Sequence, residues 1–260
     1  MIKTAFITGA SSGIGLELAR EMARRGYRVA LSARRADMLR DAVLDLKGKG
    51  HEALAVACDV TDAAAVRRCV GEVEAAWGGI DVAVANAGIG FPTRATKFVL
   101  ADAESIMKTN FGGMLNLFDA VIPGMLARKR GRFVGIASLA GLRGMPSSSM
   151  YSASKAAMQA FLEASRIDLA DHGIGVTTVN PGWIKTPMTE KNKFPMPFLL
   201  EVDDAARIIA RGIERGAREV EFPLPMSLLV RFARLLPNAI YDRVMRPYAG
   251  RKIDDDAARR

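Results

Sequence analysis

The chain has 260 residues, half of them hydrophobic, and this length suits one α/β domain with a large core. No apolar run reaches the roughly 18 residues that a membrane-spanning helix needs. The first residues lack the apolar core of a signal sequence, and two cysteines cannot form a disulfide framework or a four-ligand metal site. We therefore expect a cytoplasmic protein with metal-free chemistry.

The formal net charge of +9 favours anionic partners. A phosphorylated cofactor, a membrane surface and nucleic acid are the candidates. The basic residues are scattered and no nucleic-acid-binding motif accompanies them, so we expect no nucleic-acid partner.

A buried strand is predicted over residues 2–8, and the glycine-rich turn that follows it opens a helix. This arrangement aims free backbone N–H groups and the positive end of a helix at a pyrophosphate, although a tight connection alone would also use glycines. The residues expected to contact phosphate are Gly9, Ser11, Ser12, Gly13, Ile14 and Gly15.

The second predicted strand, residues 27–33, ends in Arg34 and Arg35. In a dinucleotide fold an acidic residue at this position binds a ribose 2′-hydroxyl, whereas an arginine accommodates a 2′-phosphate. We therefore predict NADP(H) in preference to NAD(H), with Arg34 as the contact. The alternative is that both arginines are solvated residues at a helix start.

The third predicted strand, residues 53–57, is followed by Asp59 and Val60. The Asp59 carboxylate could accept a hydrogen bond from an adenine amino group or cap the helix that starts near Asp62, and the sequence leaves both open. After the fourth strand, residues 80–85, small side chains let the backbone approach a flat ligand closely. These residues are Asn86, Ala87 and Gly88.

Apolar strands that alternate with helices indicate a parallel sheet covered on both faces. Ligands of such sheets bind at the carboxyl ends of the strands. The predicted strand ends carry Gly9, Arg34, Asp59, Asn86 and, after a fifth strand over residues 132–137, Ser138.

Tyr151 and Lys155 are spaced i and i+4 on a predicted helix and so share one of its faces. An ammonium about 4 Å from the phenol would lower the pKa of Tyr151 by about three units, towards the range of a general acid/base. Ser138 could then hold the reacting oxygen of a substrate. The alternative is a surface aromatic residue beside a solvated lysine.

Asn110 lies inside a long helical stretch, residues 102–128, that has the length of two helices. Asparagine is unfavourable within helices, so it either holds a water behind Lys155 or is a tolerated surface residue.

A sixth strand, residues 174–180, precedes Pro181 and Gly182, whose backbone could hold one face of a planar ring. Residues 188–200 are rich in apolar side chains and predict a mobile flap over an apolar substrate, with a static packed loop as the alternative. The apolar residues are Phe194, Met196, Phe198, Leu199 and Leu200.

The last 38 residues, 223–260, form two basic amphipathic segments at 227–236 and 238–246. Such segments can lie in a membrane interface. Covering a substrate cleft or a subunit contact is the use we favour, since a globular tail must bury its apolar stripe.

Residues 2–222 resemble the short-chain dehydrogenase/reductase family. The matching motifs are the glycine-rich turn at 8–15, Asn86-Ala87-Gly88, Asn110, Ser138, Tyr151-x-x-x-Lys155 and Pro181-Gly182. Residues 223–260 lie outside the common pattern of the family, and we expect them to form a C-terminal helical extension packed on the same domain or at an interface. The resemblance implies a single doubly wound Rossmann-type domain over residues 1–222, with about seven parallel strands and a nicotinamide cofactor. It also implies a homodimer or homotetramer.

The resemblance further implies a division of roles among the catalytic residues. Tyr151 exchanges the proton, Lys155 lowers its pKa and holds the nicotinamide ribose, and Ser138 orients the substrate oxygen. Asn110 supports a water relay. Thr186 meets the cofactor carboxamide, and the other cofactor contacts expected on this segment are Pro181, Gly182 and Ile184.

The function predicted is hydride transfer between NADP(H) and a carbonyl or secondary alcohol of an apolar substrate. Three alternatives are a non-catalytic dinucleotide-binding or scaffolding protein, a membrane-associated reductase of lipid-like substrates, and a nucleotide-dependent methyltransferase. Neither scaffolding nor methyl transfer gives a use for Tyr151 and Lys155.

Overall fold

A parallel β-sheet of seven strands, in the order β3-β2-β1-β4-β5-β6-β7, lies at the centre of the computed structural model, which describes residues 2–190, 192 and 195–249. The strands are β1 (Thr4–Thr8), β2 (Arg28–Ala33), β3 (Ala53–Ala57), β4 (Val82–Ala85), β5 (Gly131–Ile136), β6 (Ile174–Pro181) and β7 (Glu219–Phe222).

Helices cover both faces of the sheet, which confirms the predicted doubly wound α/β class. They are α1 (Gly13–Arg24), α2 (Ala36–Gly48), α3 (Ala63–Trp77), α4 (Leu100–Met107), α5 (Gly113–Arg128), α6 (Ser149–Asp168), α7 (Val202–Glu214), α8 (Leu224–Leu235) and α9 (Asn238–Met245).

The central strands β1 and β4 are buried along their whole length because helices cover both faces of the sheet. In β1 every residue is buried, yet Ile7 packs in the cluster beneath α1, α2 and α7, whereas Phe6 packs in the cluster beneath α3, α5 and α6. Successive side chains of a strand point to opposite faces, so one short strand contributes to two hydrophobic cores.

Strands β2 and β3 extend the sheet on one side of β1, and β4 to β7 extend it on the other side. The strand order therefore reverses between β1 and β4, which are paired neighbours. The Thr8 hydroxyl donates to the carbonyl oxygen of Val84 at 3.2 Å, and the Asn86 amide donates to the Thr8 carbonyl at 2.9 Å. These bonds join the carboxyl ends of the two strands at the switch point, where ligands of open α/β sheets bind.

The long helical stretch predicted at 102–128 is continuous but not uniform. A single π-helical turn, Lys108–Gly112, joins α4 to α5 and contains Asn110. Such π turns concentrate at functional sites because they displace one residue from the regular helix surface.

The described part of the C-terminal extension packs against the sheet and the start of α6. Arg143 donates to the carbonyl oxygens of Ala233 and Leu236, and its guanidinium lies 3.8 Å from the centre of the Tyr241 ring. Two residues before Ala233 in α8, Arg231 forms ion pairs with Glu219 and Glu221 of β7. Among residues 2–190, 192 and 195–249, no helix has the length and hydrophobicity that crossing a bilayer requires.

Candidate active site

A cleft of about 480 Å³ opens at the carboxyl ends of the strands. It brings together most of the residues that the sequence singled out for cofactor binding and chemistry. These are Gly9, Ser11, Ser12, Gly13, Ile14, Arg34, Asp59, Val60, Asn86, Ala87, Gly88, Ser138, Tyr151, Lys155, Pro181, Gly182, Ile184 and Thr186.

The glycine-rich turn has the backbone that an anion site needs. Gly9 and Gly13 have φ angles of +66° and +58°, which favour glycine. A Cβ on Gly9 would lie 2.7 Å from the Cα of Ala87, so the turn packs directly against the β4 end. Ser12 begins α1 without capping it through its side chain, which leaves the first N–H groups of the helix available to a phosphate.

Gly15 is buried and does not line the cleft, contrary to its predicted role as a phosphate contact. A Cβ there would lie 2.4 Å from the Asn86 amide nitrogen and 2.6 Å from the Gly9 carbonyl oxygen. Gly15 therefore allows α1 to pack closely on the turn and the end of β4.

The two arginines after β2 have different environments. Arg35 donates to the hydroxyl oxygens of Ser11 and Ser12 at 2.8 and 2.9 Å, so its guanidinium lies over the glycine-rich turn. Arg34, which the sequence analysis favoured, has a side chain 73% exposed and lies 4.0 Å from the Asp59 carboxylate. The alternative that both arginines are simply solvated is wrong for Arg35.

Asp59 does not cap α3, because that role belongs to Asp62. The Asp62 carboxylate accepts from the backbone N–H groups of Ala64 and Ala65 at 2.9 and 3.0 Å. One Asp59 oxygen accepts from the N–H of Thr61, and the residue lines the cleft. Of its two predicted uses, the cap is therefore excluded.

Tyr151 and Ser138 meet at the centre of the site. Ser138 follows β5, where its hydroxyl also accepts from the N–H of Ala140 at 3.1 Å, and Tyr151 lies in the first turn of α6. The Ser138 hydroxyl donates to the carbonyl oxygen of Pro181 at 3.4 Å, and the Ser138 side chain acts on the Tyr151 phenol in the direction that lowers its pKa. The alternative of a surface tyrosine beside a solvated lysine is wrong, because Tyr151 and Lys155 lie in the cleft wall and Lys155 is buried.

Lys155 does not lower the pKa of Tyr151 in this structure, contrary to expectation. Its ammonium nitrogen donates to the carbonyl oxygen of Ile136 at 2.7 Å and lies 5.7 Å from the centre of the Tyr151 ring. Burial raises the pKa of Tyr151, which the Ser138 side chain only partly offsets. Burial also lowers the pKa of Lys155 to about 8. Loss of hydration disfavours the charged form of each residue.

Asn110 is completely buried behind the cleft wall, so the interpretation as a surface asparagine is wrong. Its amide oxygen accepts from the N–H of Ile89 at 2.8 Å, and its amide nitrogen donates to the carbonyl of Ile89 and the hydroxyl of Ser154 at 3.0 Å each. The π turn points this side chain between the β4 end and α6. Asn110 therefore ties together the two segments that carry Gly88 and Tyr151.

A second, mainly apolar cavity of about 270 Å³ adjoins the cleft. Ser138 and Tyr151 line both spaces, so these two residues lie at their junction. The walls of the cavity come from the loop after β4, the loop after β6 and the C-terminal helices. Apolar and aromatic wall residues include Phe91, Met145, Trp183, Met188, Met226, Val230, Met245 and Tyr248.

The loop predicted as a flap, residues 188–200, is anchored at both of its ends. The Leu200 N–H donates to the Trp183 carbonyl at 3.0 Å, and the Thr189 hydroxyl donates to the Ile184 carbonyl at 2.6 Å. Met188 contributes to both spaces. Phe194, one of the apolar residues expected in the flap, lies outside the described residues, and the mobility of this loop stays a prediction.

Several lining residues were not singled out from the sequence. Arg35 was passed over for its neighbour, although its position at the start of α2 was a usable signal. Met226 and Val230 could not be chosen individually, because a helix of mixed apolar residues does not reveal which face meets a cavity. The others in the cofactor cleft include Cys58, Ile89 and Thr109.

The fold, the glycine-rich turn and the serine, tyrosine and lysine at the strand ends define a dinucleotide-dependent oxidoreductase of the Rossmann type. The family model of the short chain dehydrogenases matches residues 3–195. The chain belongs to this family.

Relatives and solved structures agree with this assignment. An uncharacterized oxidoreductase of Myxococcus xanthus is 42% identical over 244 residues, which cover 94% of this chain and 96% of the relative. A ketoacyl reductase of Nostoc is 31% identical over 254 residues, covering 94% of this chain and 88% of the relative. A variant of actinorhodin polyketide ketoreductase, crystallised with NADPH, superposes with a TM-score of 0.78 at 31% identity and covers 85% of this chain and 95% of that one.

Proposed function

We propose that this oxidoreductase transfers hydride between NADP(H) and a carbonyl or secondary alcohol of an apolar substrate, with Tyr151 as general acid/base. The observation that carries the proposal is the position of Tyr151 and Ser138 together at the junction of a polar cleft and an apolar cavity. A reacting oxygen at this junction would meet a proton donor and a second hydroxyl.

The cleft suits a pyridine dinucleotide bearing a 2′-phosphate. Gly9 and Gly13 keep the turn open to an approaching phosphate, and the uncapped start of α1 offers its N–H groups. Arg35 and Arg34 at the end of β2 supply the positive charge that a 2′-phosphate requires. When bound there, the nicotinamide supplies or accepts the hydride.

The remaining chemistry belongs to the chain. Burial raises the pKa of Tyr151, which keeps the phenol protonated at neutral pH and able to donate its proton to a developing alkoxide. Ser138 holds the same oxygen through its hydroxyl. Lys155, 4% exposed, lines the cleft next to Tyr151, where its ammonium group can donate to ribose hydroxyls.

The walls of the second cavity favour an apolar substrate. Its surface is built from methionine, valine and aromatic side chains, and neither a lysine nor an arginine lines it among the described residues. Two of the relatives carry the names of ketoacyl and polyketide ketoreductases, which supports a carbonyl group as the reacting function. For the subunit number, the family resemblance favours a homodimer or homotetramer, which light scattering would measure.

The test replaces Tyr151 with phenylalanine and compares NADPH oxidation over a panel of apolar ketones and aldehydes. Wild type is expected to turn over at least one carbonyl, and Tyr151→Phe to lose at least about a thousandfold of that rate. NADPH binding, measured by fluorescence titration, is expected to stay within about threefold. A wild type that binds NADPH but reduces no carbonyl and oxidises no alcohol would indicate a dinucleotide-binding protein without catalysis. Retained turnover in the variant would exclude Tyr151 as the proton donor.

A further inference from the structure

Helix α8 has two apolar faces, and only one of them is covered by the protein. The inner face places Met226 and Val230 in the wall of the apolar cavity. The outer face is exposed to solvent, with side chains between 56% and 82% accessible. Its residues, which we term the outer apolar stripe, are Leu224, Leu228, Leu229, Phe232 and Leu235.

The spacing of the stripe residues places them on one side of the helix. Leu224, Leu228, Phe232 and Leu235 recur at intervals of four, four and three residues, and so they form one row along the helix. On a helix that faces water this row is normally polar. Contiguous exposed apolar surface of this kind marks contact with a protein or a membrane.

The charged residues of the described C-terminal extension are mainly arginines. Residues 223–249 contain four arginines and one aspartate. Arg231 is neutralised by ion pairs with Glu219 and Glu221. The guanidinium groups of Arg234, Arg243 and Arg246 have no ion pair or hydrogen bond to any described residue, and all three residues are exposed.

We propose that the outer apolar stripe, together with Arg234, Arg243 and Arg246, seats this protein on the surface of an anionic lipid bilayer. The leucines and Phe232 would enter the boundary between headgroups and acyl chains, and the arginines would contact phosphate groups. Because no helix among the described residues can span a bilayer, the attachment is peripheral.

Charge complementarity favours a bilayer over a second copy of the chain. A two-fold contact through α8 would bring the same positive patch of both copies together, and like charges across an interface oppose association. An anionic bilayer satisfies the apolar stripe and the arginines at once.

The position of the stripe also narrows the substrate class, a step that rests on the proposed function. The helix that carries the stripe outward forms part of the cavity wall inward, and the neighbouring loop, which contributes Met188 to the cavity, exposes Phe198 and Leu199. An apolar carbonyl compound dissolved in the bilayer would therefore have a short route to Tyr151. The substrate is inferred to be a lipid-like ketone, aldehyde or alcohol that partitions into membranes.

The experiment is sedimentation of the full-length protein with phosphatidylcholine vesicles that contain or lack phosphatidylglycerol. Wild type is expected to sediment with the anionic vesicles and to be released by high salt. Leu228→Gln combined with Leu235→Gln is expected to lower the partition coefficient by about tenfold or more. Leu44→Gln combined with Ile167→Gln, at positions exposed to 67% and 68% on α2 and α6, is the matched control and is expected to bind as wild type does.

Two results of these experiments would overturn the proposed attachment to a bilayer. One is a wild type that stays in solution with anionic vesicles. The other is a stripe variant that dissociates into smaller oligomers in light scattering while the control does not, since that outcome assigns the stripe to a subunit contact.

Sedimentation does not depend on catalysis, so a failure of the proposed function would leave this result unaffected. The substrate inference has its own readout, NADPH oxidation with a long-chain ketone held in vesicles and with a short water-soluble ketone. The stripe variant is expected to lose rate on the first and keep it on the second. Equal rates for variant and wild type on both would overturn delivery from the bilayer.

Discussion

The ammonium nitrogen of Lys155 lies 2.7 Å from the carbonyl oxygen of Ile136, the last residue of β5. This contact holds the lysine against the sheet, and no carboxylate among the described residues pairs with it. Burial consequently lowers the pKa of Lys155 from 10.5 to about 8. The site therefore solvates the charged form of Lys155 poorly. A bound ligand whose hydroxyl oxygens accept hydrogen bonds from the ammonium group would reduce this desolvation penalty.

The lowered pKa of Lys155 predicts a pH dependence of stability. Between pH 8 and 10.5 the unfolded chain keeps this proton and the folded chain loses it, so the lysine's contribution to the free energy of unfolding rises with pH. Relative to Lys155→Met, cofactor-free wild type is expected to gain about 3 kcal/mol across that window. Urea unfolding at both ends of the window measures it. Lys47→Met, at an exposed position on α2, is the control, and its free energy of unfolding should change with pH as that of wild type does. If wild type gained as much stability relative to Lys47→Met as relative to Lys155→Met, Lys155 would be excluded as the specific cause.

Arg35 is expected to control the preference between the two nicotinamide cofactors. Its contacts with Ser11 and Ser12 place the guanidinium over the phosphate-binding turn. Arg35→Ala should raise the KM for NADPH by about tenfold or more and leave the KM for NADH nearly unchanged, because a charge-assisted contact to phosphate is lost. Arg34→Ala, exposed and loosely paired with Asp59, should have a smaller effect. Arg40→Ala, which breaks an exposed pair on α2, is the control. An equal loss for both cofactors would argue against a 2′-phosphate contact.

Asn110 is expected to contribute more to stability than an ordinary buried amide. Asn110→Ala leaves the N–H and C=O of Ile89 without their partner, which should lower the free energy of unfolding by about 2 to 4 kcal/mol. Asn116 is the comparison, because its amide makes one hydrogen bond, to the Val60 carbonyl, and Asn116→Ala should cost about 1 kcal/mol. Denaturant unfolding of both variants tests this, and equal costs would contradict it.

Arg143 is expected to fasten the C-terminal helices over the substrate cavity. Arg143→Met removes its bonds to the Ala233 and Leu236 carbonyls and its contact with the Tyr241 ring. Trypsin should then cut within α8 and α9 several times faster, because local opening exposes them, while the midpoint of thermal unfolding changes little. Arg67→Met, which breaks an exposed pair with Asp119, is the control. Unchanged cleavage of the Arg143 variant would show that other contacts hold the extension.

Much of the fold was predictable because its signals are local. The third strand was predicted at the residues the structure shows, Ala53–Ala57, and the sixth, predicted over 174–180, is Ile174–Pro181. Helix ends shifted by a few residues, as in α8, which begins at Leu224 and was expected from residue 227. The π turn at Lys108–Gly112 was not foreseen, because one extra residue in a helical turn leaves no periodic trace.

The residues of the candidate site also divide into those that local sequence signals predicted and those that they did not. Its glycine-rich turn, Ser138 and Tyr151 were found because strand ends of a parallel sheet converge, whatever the details of packing. The contacts of Arg35 with Ser11 and Ser12 were not foreseen, and the expected effect of Lys155 on the pKa of Tyr151 was wrong. Both depended on where a flexible side chain turns and on how much water surrounds it.

The sequence by itself determined the family, the parallel sheet and the list of residues at its rim, because hydrophobic period, glycine spacing and short motifs are written along the chain. Only the tertiary structure decided which arginine covers the turn, that Asn110 is buried, and that α8 turns Met226 into the cavity and Leu228 outward. Those properties depend on desolvation and on the relative orientation of elements far apart in the chain, and neither is encoded by local pattern.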